Sequence, residues 1–571
     1  MIDKLNVYKQ ADSPLPTKNR LWPLYGAGLE NLGRNGELIS VALPQPKADE
    51  LLIRHDAVGL CFSDIKVIRA GNNHPRIYRD MAKEPVVLGH EVSMTVVAVG
   101  ENLLDQYQVG DRFIIQADVF VDDIGYAYGY EIQGGLSQYN IIDQRVLAGD
   151  HGNYLIPIQP QTGYAEAALT EPWACVIATY QLGYRTGLKP GGTAWIIGVS
   201  DTQDLAYTIS AGLNRESHPA RLLLSSIPPA LEDWIRQRVR GLGVKVIKVP
   251  NLSAPPVEEV DDIVILGADA DLVELVSPYL AKYGVCAVVS DDPFDRPLQV
   301  DIGRIHYNRW VFVGGSDLDL TLAYSKVPVR STLKSGGTLW FVGAGGPMGR
   351  MHVQRAIQLA DGPRTILCTD VSDVRLQDLR DSFAQEAAEK EIEFICLNPM
   401  QQDTYQVGLD RFTERGFDDI IVLAPVAPVI VEAAGYLASH GVMNVFAGLP
   451  RGSMVTIDLN DAIFRGVRII GHSASTIDDL RLMLKQAEHG ELSPNRSVAA
   501  VGSLEAARDG FDAVQTALFP GKVVIYPQIK FFPLTPLPEL REKLPSVYAL
   551  LNRGREWTVE AEEEFLRLML A

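Results

Sequence analysis

The chain has 571 residues, 52 Lys+Arg against 71 Asp+Glu, and a formal charge of −19. With 47% hydrophobic and 22% charged residues it has the composition of a soluble, folded chain with more than one core. That acidity argues against a nucleic-acid or anionic-membrane partner, which needs clustered Lys and Arg.

Five widely spaced cysteines, Cys61, Cys175, Cys286, Cys368 and Cys396, include no C-x-x-C pair and argue against a disulfide framework. The opening MIDKLNVYKQADSPLPTK has no apolar signal-peptide core. The longest apolar stretch, residues 420–431, is too short to span a bilayer and carries two prolines. The expectation is a reduced, cytoplasmic protein.

The first 160 residues read as β-rich: ELLIRHDAVGL, EVSMTVVAVG and GDRFIIQADVF are short, rich in Val and Ile, and broken by Gly or Asp. From about Gly163 the texture becomes helical, in YAEAALTEPWACVIATYQLGYRTG, and ends at a KPGG turn. Two segments with one layout follow. KPGGTAWIIGVS at 189–200 parallels KSGGTLWFVGAGG at 334–346, and 260–290 parallels 417–447, each opening on an x-D-D-I strand. NRWVFVGGSDLDLTLA then matches RGVRIIGHSASTIDDL. The pattern is a tandem duplication of a strand–helix–strand module, with strands and helices alternating as in a parallel, doubly wound sheet. Beyond Lys522 come a strand, a proline-punctuated stretch and a final helix with Thr558 as N-cap.

In the second module the turn Gly343-Ala344-Gly345-Gly346-Pro347-Met348-Gly349 follows a strand and precedes a helix. In that setting glycines admit a pyrophosphate to the backbone, and the helix N-terminus offers it unpaired N–H groups. The next strand, RTILCTD, ends in Asp370, 21 residues after Gly349. A carboxylate there accepts from a ribose 2′-hydroxyl and repels a 2′-phosphate, favouring NAD over NADP. The first module's turn, Gly198-Val199-Ser200-Asp201-Thr202-Gln203, has one glycine, an aspartate where phosphate would sit, and serines (Ser225, Ser226) in place of the ribose carboxylate. It is expected not to bind NAD.

Three upstream patches carry metal-ligand residue types: Gly59-Leu60-Cys61-Phe62-Ser63-Asp64, Gly89-His90-Glu91 and Glu171-Pro172-Trp173-Ala174-Cys175. Cys, His and Glu are the donors of a catalytic zinc with an open position. Together with VVAVGENLLDQYQVGDRF, GGLSQY and the glycine turn, they resemble the zinc-dependent medium-chain alcohol and polyol dehydrogenases, over about residues 40–200 and 336–526. GAGGPMGRMHVQRA is most similar to the sorbose-1-phosphate-reductase branch of sugar and polyol dehydrogenases.

The resemblance implies a GroES-like domain joined to a Rossmann domain, with the active site in the cleft between them. Together with the duplication, the domains are expected at 1–188 (GroES-like, completed by about 485–530), 189–333 (degenerate Rossmann-like module), 334–484 (NAD-binding Rossmann domain) and 531–571 (proline-rich segment and helix). The resemblance also has consequences for the site. It makes Cys61 and His90 zinc ligands, Glu91 a ligand or near-ligand, Glu171 the remaining ligand position and Cys175 its substitute. Ser63 becomes the proton relay and Asp64 the orienting group. No cysteine lies in 116–138, so one catalytic zinc and no structural zinc is expected. The inserted module at about 190–333 is a departure from ordinary members.

The implied activity is hydride transfer between NAD(H) and a secondary alcohol or ketone of a sugar, polyol or sugar phosphate, by a homo-oligomer. Arg69, Arg76, Arg79 and His74 are candidates for a phosphate pocket or for solvated surface. The competing readings are a catalytically inactive NAD-binding scaffold or sensor, and a zinc-free enoyl or quinone reductase. Retention of the whole ligand set argues against both.

Overall fold

The computed structural model describes residues 4–202, 204–325, 330, 332–472 and 474–570; Gln203 of the first glycine-poor turn lies outside them. The chain forms two compact units. The first takes Met1–Ile177, Gly346–Met351 and Ser475–Ala571; the second takes Ala178–Gly345 and His352–Ala474.

The first unit is built on an eight-stranded sheet. Strand Leu51–Gly59 is buried along its whole length and pairs antiparallel with Glu91–Val99, which places Gly59 opposite Glu91. On its other side runs Lys522–Tyr526, with Val524 opposite Gly59. Val498–Ser503 then lies parallel to Lys522–Tyr526, and Thr535–Pro536 extends that edge. The chain end is therefore woven into the same sheet as its beginning.

The last helix, Val559–Met569, is capped by Thr558, whose hydroxyl accepts from Ala561 N at 3.0 Å. Its buried Glu562 accepts from Tyr164 N, Ala165 N and the Tyr526 hydroxyl at 2.5, 2.7 and 2.7 Å. That carboxylate supplies the cap that Gly163 cannot give helix Tyr164–Ala168.

The second unit holds two six-stranded parallel sheets of one topology. In the first the order is Lys245–Lys248, Arg221–Ser225, Thr193–Gly198, Val260–Leu266, Leu280–Val289, Val311–Gly315. In the second it is Glu393–Leu397, Thr365–Thr369, Thr338–Val342, Phe417–Val422, Leu437–Val445, Arg468–Ile470. Both read 3-2-1-4-5-6 in chain order, the doubly wound dinucleotide-binding arrangement. The fold is thus a β-rich domain with two tandem Rossmann-like modules.

The duplication reaches individual atoms. Arg185 binds both Asp262 oxygens and the Asp261 carbonyl, while Lys189 Nζ meets Asp261 at 2.5 Å. Arg330 binds both Asp419 oxygens and the Asp418 carbonyl, while Lys334 Nζ meets Asp418 at 2.6 Å. Trp195 Nε1 donates to Ser225 Oγ, and Trp340 Nε1 donates to Thr369 Oγ1. Each cage ties the start of strand 4 to the turn before strand 1.

The modules differ at the crossover after strand 1. In the second, helix Pro347–Gln358 follows the glycine turn. In the first, among the described residues, only the short 3-10 turn Ser200–Thr202 lies between Thr193–Gly198 and Arg221–Ser225. Gly212, Asn214 and Pro219 punctuate that segment, which suits turns rather than a helix.

Candidate active site

The sheet of the first unit delivers three metal-ligand types to one end. Cys61 lies just past strand Leu51–Gly59, and His90 and Glu91 stand where the neighbouring antiparallel strand begins. One ligand atom from each of Cys61, His90 and Glu91 lies within 4.8 Å of the others. Gly59 makes this possible, since a Cβ there would overlap Glu91 Oε2.

The local fold of Cys61 also positions His90. Cys61 is the N-cap of helix Phe62–Ala70, and Asp64 is the N3 partner of its capping box. Asp64 Oδ2 accepts from Cys61 N at 3.1 Å, and Oδ1 accepts from His90 Nδ1 at 3.1 Å. A fully buried carboxylate thus fixes the imidazole and turns Nε2 to the ligand side, the usual arrangement behind a metal-binding histidine. Burial pulls the His90 pKa down, but the Asp64 carboxylate and Cys61 outweigh it and hold the ring well above its ordinary value. Ser63 Oγ stands 3.5 Å from the Cys61 thiol that donates to it.

Glu91 is fully buried, and its Oε1 receives Lys522 Nζ at 2.5 Å. Its Oε2 has no hydrogen-bond partner. Burial lowers the lysine's pKa, but Glu91, Cys61 and Glu171 overcompensate and keep it charged. Glu171, on helix Thr170–Ala178, is not in the three-residue cluster but senses it. Desolvation pushes its carboxyl up to about 7, with His90 lowering, Glu91 raising and Lys522 lowering the value. The Cys175 thiol, one turn on, donates to Ser475 Oγ at 3.8 Å, and burial raises its pKa well above normal. A cysteine sulfur, an imidazole and a carboxylate with an unpartnered buried oxygen suit a zinc ion.

Of the cationic candidates, Arg79 is tied to Glu131 and Arg69 lies over the Phe62 ring. Arg76 pairs with Asp118 at 2.7 Å but keeps Nη2 buried without a hydrogen-bond partner. It sits over Tyr130, the ring that also touches His74 and His90.

In the second module Gly343 adopts φ +81°, and a Cβ there would crowd Ala424. A Cβ at Gly345 would lie 2.6 Å from Arg375 Cβ and 2.8 Å from Asp370 Oδ2. Gly346 faces open space. Ala344 is buried beneath the turn, and Pro347, Met348 and Gly349 open helix Pro347–Gln358. Asp370 Oδ2 accepts from Gly345 N at 2.9 Å and Oδ1 from Ser372 N at 3.0 Å. The carboxylate stands beside the turn and keeps lone pairs for a ribose. Open space at Gly346, a helix N-terminus and a strand-end carboxylate suit a dinucleotide. Among the described residues, the first module shows no crossover helix to supply that N-terminus.

Lys522 was not legible as a site residue: it is 431 positions from Glu91, and in sequence it only opens an apolar strand.

Residues 47–150 match the family model described as the alcohol dehydrogenase GroES-like domain. Over 508 residues the chain is 25% identical to the mannitol-1-phosphate 5-dehydrogenase of Aliivibrio fischeri, covering 87% of this chain and 85% of that one. Over 538 residues it is 22% identical to the L-sorbose 1-phosphate reductase of Klebsiella pneumoniae, covering 93% and 95%. The crystal structure of 2R,3R-butanediol dehydrogenase from Bacillus subtilis aligns with TM-score 0.50 at 15% identity, covering 89% of this chain and 99% of that one. At that identity the likeness shows the fold alone.

Proposed function

We propose that this chain, which belongs to the zinc-type medium-chain alcohol and polyol dehydrogenase family, is a zinc-dependent enzyme that uses NAD and moves hydride to or from a secondary alcohol carbon of a polyol or sugar phosphate. The observation that carries the reading is the meeting of Cys61, His90 and Glu91 within 4.8 Å, with Asp64 orienting the imidazole.

Zinc, when bound, supplies Lewis acidity toward an alcohol oxygen, and the dinucleotide supplies the hydride acceptor. The chain's own residues do the rest. Cys61 and His90 are assigned as standing ligands. Glu91 offers Oε2 to the ion while Lys522 holds Oε1, and Glu171 is the alternate carboxylate. Asp64 keeps His90 in the tautomer with a proton on Nδ1. Ser63 carries the substrate hydroxyl proton outward. The turn Gly343–Gly349 receives the pyrophosphate, and Asp370 receives the adenosine ribose and disfavours a 2′-phosphate.

The phosphorylated class is supported by Arg76, whose unpartnered Nη2 lies next to the ring that touches His90. Relatives named for phosphorylated polyols and sugars agree with it. Arg76→Ala should raise KM for a phosphorylated polyol while leaving an unphosphorylated one nearly unchanged. An equal effect on both would remove Arg76 from phosphate recognition.

The test of the function is metal analysis together with NADH absorbance on a panel of polyols and their phosphates. One zinc per chain and NAD-dependent turnover are expected, both lost in Cys61→Ser with the unfolding temperature little changed. Full activity in Cys61→Ser, or a zinc-free chain that turns over, would overturn the reading.

A further inference from the structure

The two modules of the second unit meet across a seam with internal two-fold symmetry. Strands Leu298–Asp301 and Met454–Ile457 pair antiparallel, with Leu298 opposite Ile457, Gln299 opposite Thr456 and Val300 opposite Val455. Val311 pairs Val285 in one sheet as Arg468 pairs Val442 in the other, so Val311 and Arg468 are equivalent. Counting back from them, Gln299 and Thr456 are the same position in the two modules, and they face each other. Equivalent residues meeting on an axis define an isologous interface, here formed within one chain.

The helices beside the seam obey the same rule. His306, on helix Ile302–Asn308, packs on Gly471, where a Cβ would lie 2.5 Å from His306 Cα. Ile463, on helix Asn460–Phe464, is its equivalent and packs on Gly314, where a Cβ would lie 2.7 Å from Ile463 Cγ1. Gly471 and Gly314 are themselves equivalent. The geometry is symmetric, but the chemistry is not. The residue aimed at the first module is apolar. The residue aimed at the second is a buried histidine whose Nδ1 donates to the Val445 carbonyl at 2.9 Å.

Polar ties cross the seam in both directions: Asn460 Oδ1 of the second module accepts from Phe294 N of the first at 2.8 Å. Asn308 Oδ1 accepts from Arg451 Nε at 2.9 Å, Asp301 Oδ2 from Gly452 N at 2.9 Å, and Arg309 bonds His472. The ties from the first module reach Val445 and His472, at or just past the carboxyl ends of strands Leu437–Val445 and Arg468–Ile470, and Arg451 and Gly452 in the loop that leads on to Met454–Ile457. In a doubly wound sheet that rim is where the ligand lies. Phe446 also touches His352 on the helix after the glycine turn, with ring centroids 4.8 Å apart.

We propose that the first module acts as a built-in partner subunit whose His306 is a positioning residue for the dinucleotide site of the second. It holds the loops after the fifth and sixth strands in the shape that receives the cofactor's far half. This rests on the reading above, that the dinucleotide binds the second module. The first module could shed its own nucleotide features because only its seam face is needed.

The test compares His306→Ala with Ile463→Ala, two truncations at equivalent places, in zinc-loaded full-length chain. Read-outs are the NADH dissociation constant by fluorescence and the unfolding temperature. His306→Ala should weaken NADH binding about fivefold or more, and His306→Gln, which can still donate to Val445, should restore much of it. Ile463→Ala should lower the unfolding temperature yet leave NADH binding unchanged. If His306→Ala does not fold, Asn308→Ala, which removes only the Arg451 tie, carries the same expectation of weaker NADH binding. Unchanged binding in the His306 variants beside weakened binding in Asp370→Ala would overturn this inference and leave the function standing. Unchanged binding in Asp370→Ala as well would overturn the function reading beneath it.

Discussion

The two modules of the second unit share one design and differ at the turn where the proposed dinucleotide's phosphates would lie. Both keep the same strand order, the Arg–Asp–Lys cage at the base of the sheet and the Trp Nε1 bond between strands 1 and 2. Among the described residues, only the second has the glycine turn, the helix that follows it and the carboxylate at the end of strand 2. Features that hold a sheet together answer to stability in both copies. Features proposed to hold a cofactor are kept in one. The comparison separates scaffold from site without any ligand.

It follows that scaffold changes should act alike in both modules, and site changes in one. The largest effect belongs to the cages. Asp419→Ala and Asp262→Ala each strand a partly buried arginine and should each cost about 3 kcal/mol of stability, read as denaturation midpoints. A large cost in one module and none in the other would break the equivalence. Next comes Gly345→Val, whose side chain would collide with Arg375 and Asp370. NADH affinity should fall about a hundredfold, on the order of 3 kcal/mol, while Ser200→Val at the matching turn of the first module leaves it unchanged.

Asp370→Ala should weaken NAD binding about tenfold and relax discrimination against NADP, as loss of a charge-assisted bond to ribose predicts. Ser226→Ala, its counterpart, should do neither. The last effect is a pH slope. Burial, against the pull of Arg330, pushes the Asp419 carboxyl up to about 6. A carboxyl raised on folding makes the native state bind the proton more tightly than the unfolded chain. Stability should therefore fall as pH rises from the ordinary carboxylate range through about 6. Asp419→Asn should flatten that slope, which stability curves at several pH values would show.

Much of this was legible in the sequence because it is local or periodic. The duplication showed in the shared GGT and x-D-D-I patterns, the glycine turn in its strand–turn–helix setting, and Thr558 in its capping position. Cys61 and Asp64 could be read together because one capping box holds both. Residues joined by distant pairing could not. Lys522 reaches Glu91 only when the chain's late return docks beside strand Leu51–Gly59. Glu562 caps a helix 398 residues away in sequence. The seam at Gln299 and Thr456 depends on the register of two short strands that carry no turn between them. The expected carboxylate pair also resolves differently in space: Glu91 joins Cys61 and His90, while Glu171 stands beside them as a neutralisable neighbour.

The central claim is that one dinucleotide binds per chain, in the second module. Titrating NADH into zinc-loaded protein by calorimetry, with Gly345→Val and Ser200→Val in parallel, tests it most directly. One site per chain, lost in Gly345→Val and kept in Ser200→Val, is the expected result; two sites per chain, or one that survives Gly345→Val and disappears with Ser200→Val, would contradict it.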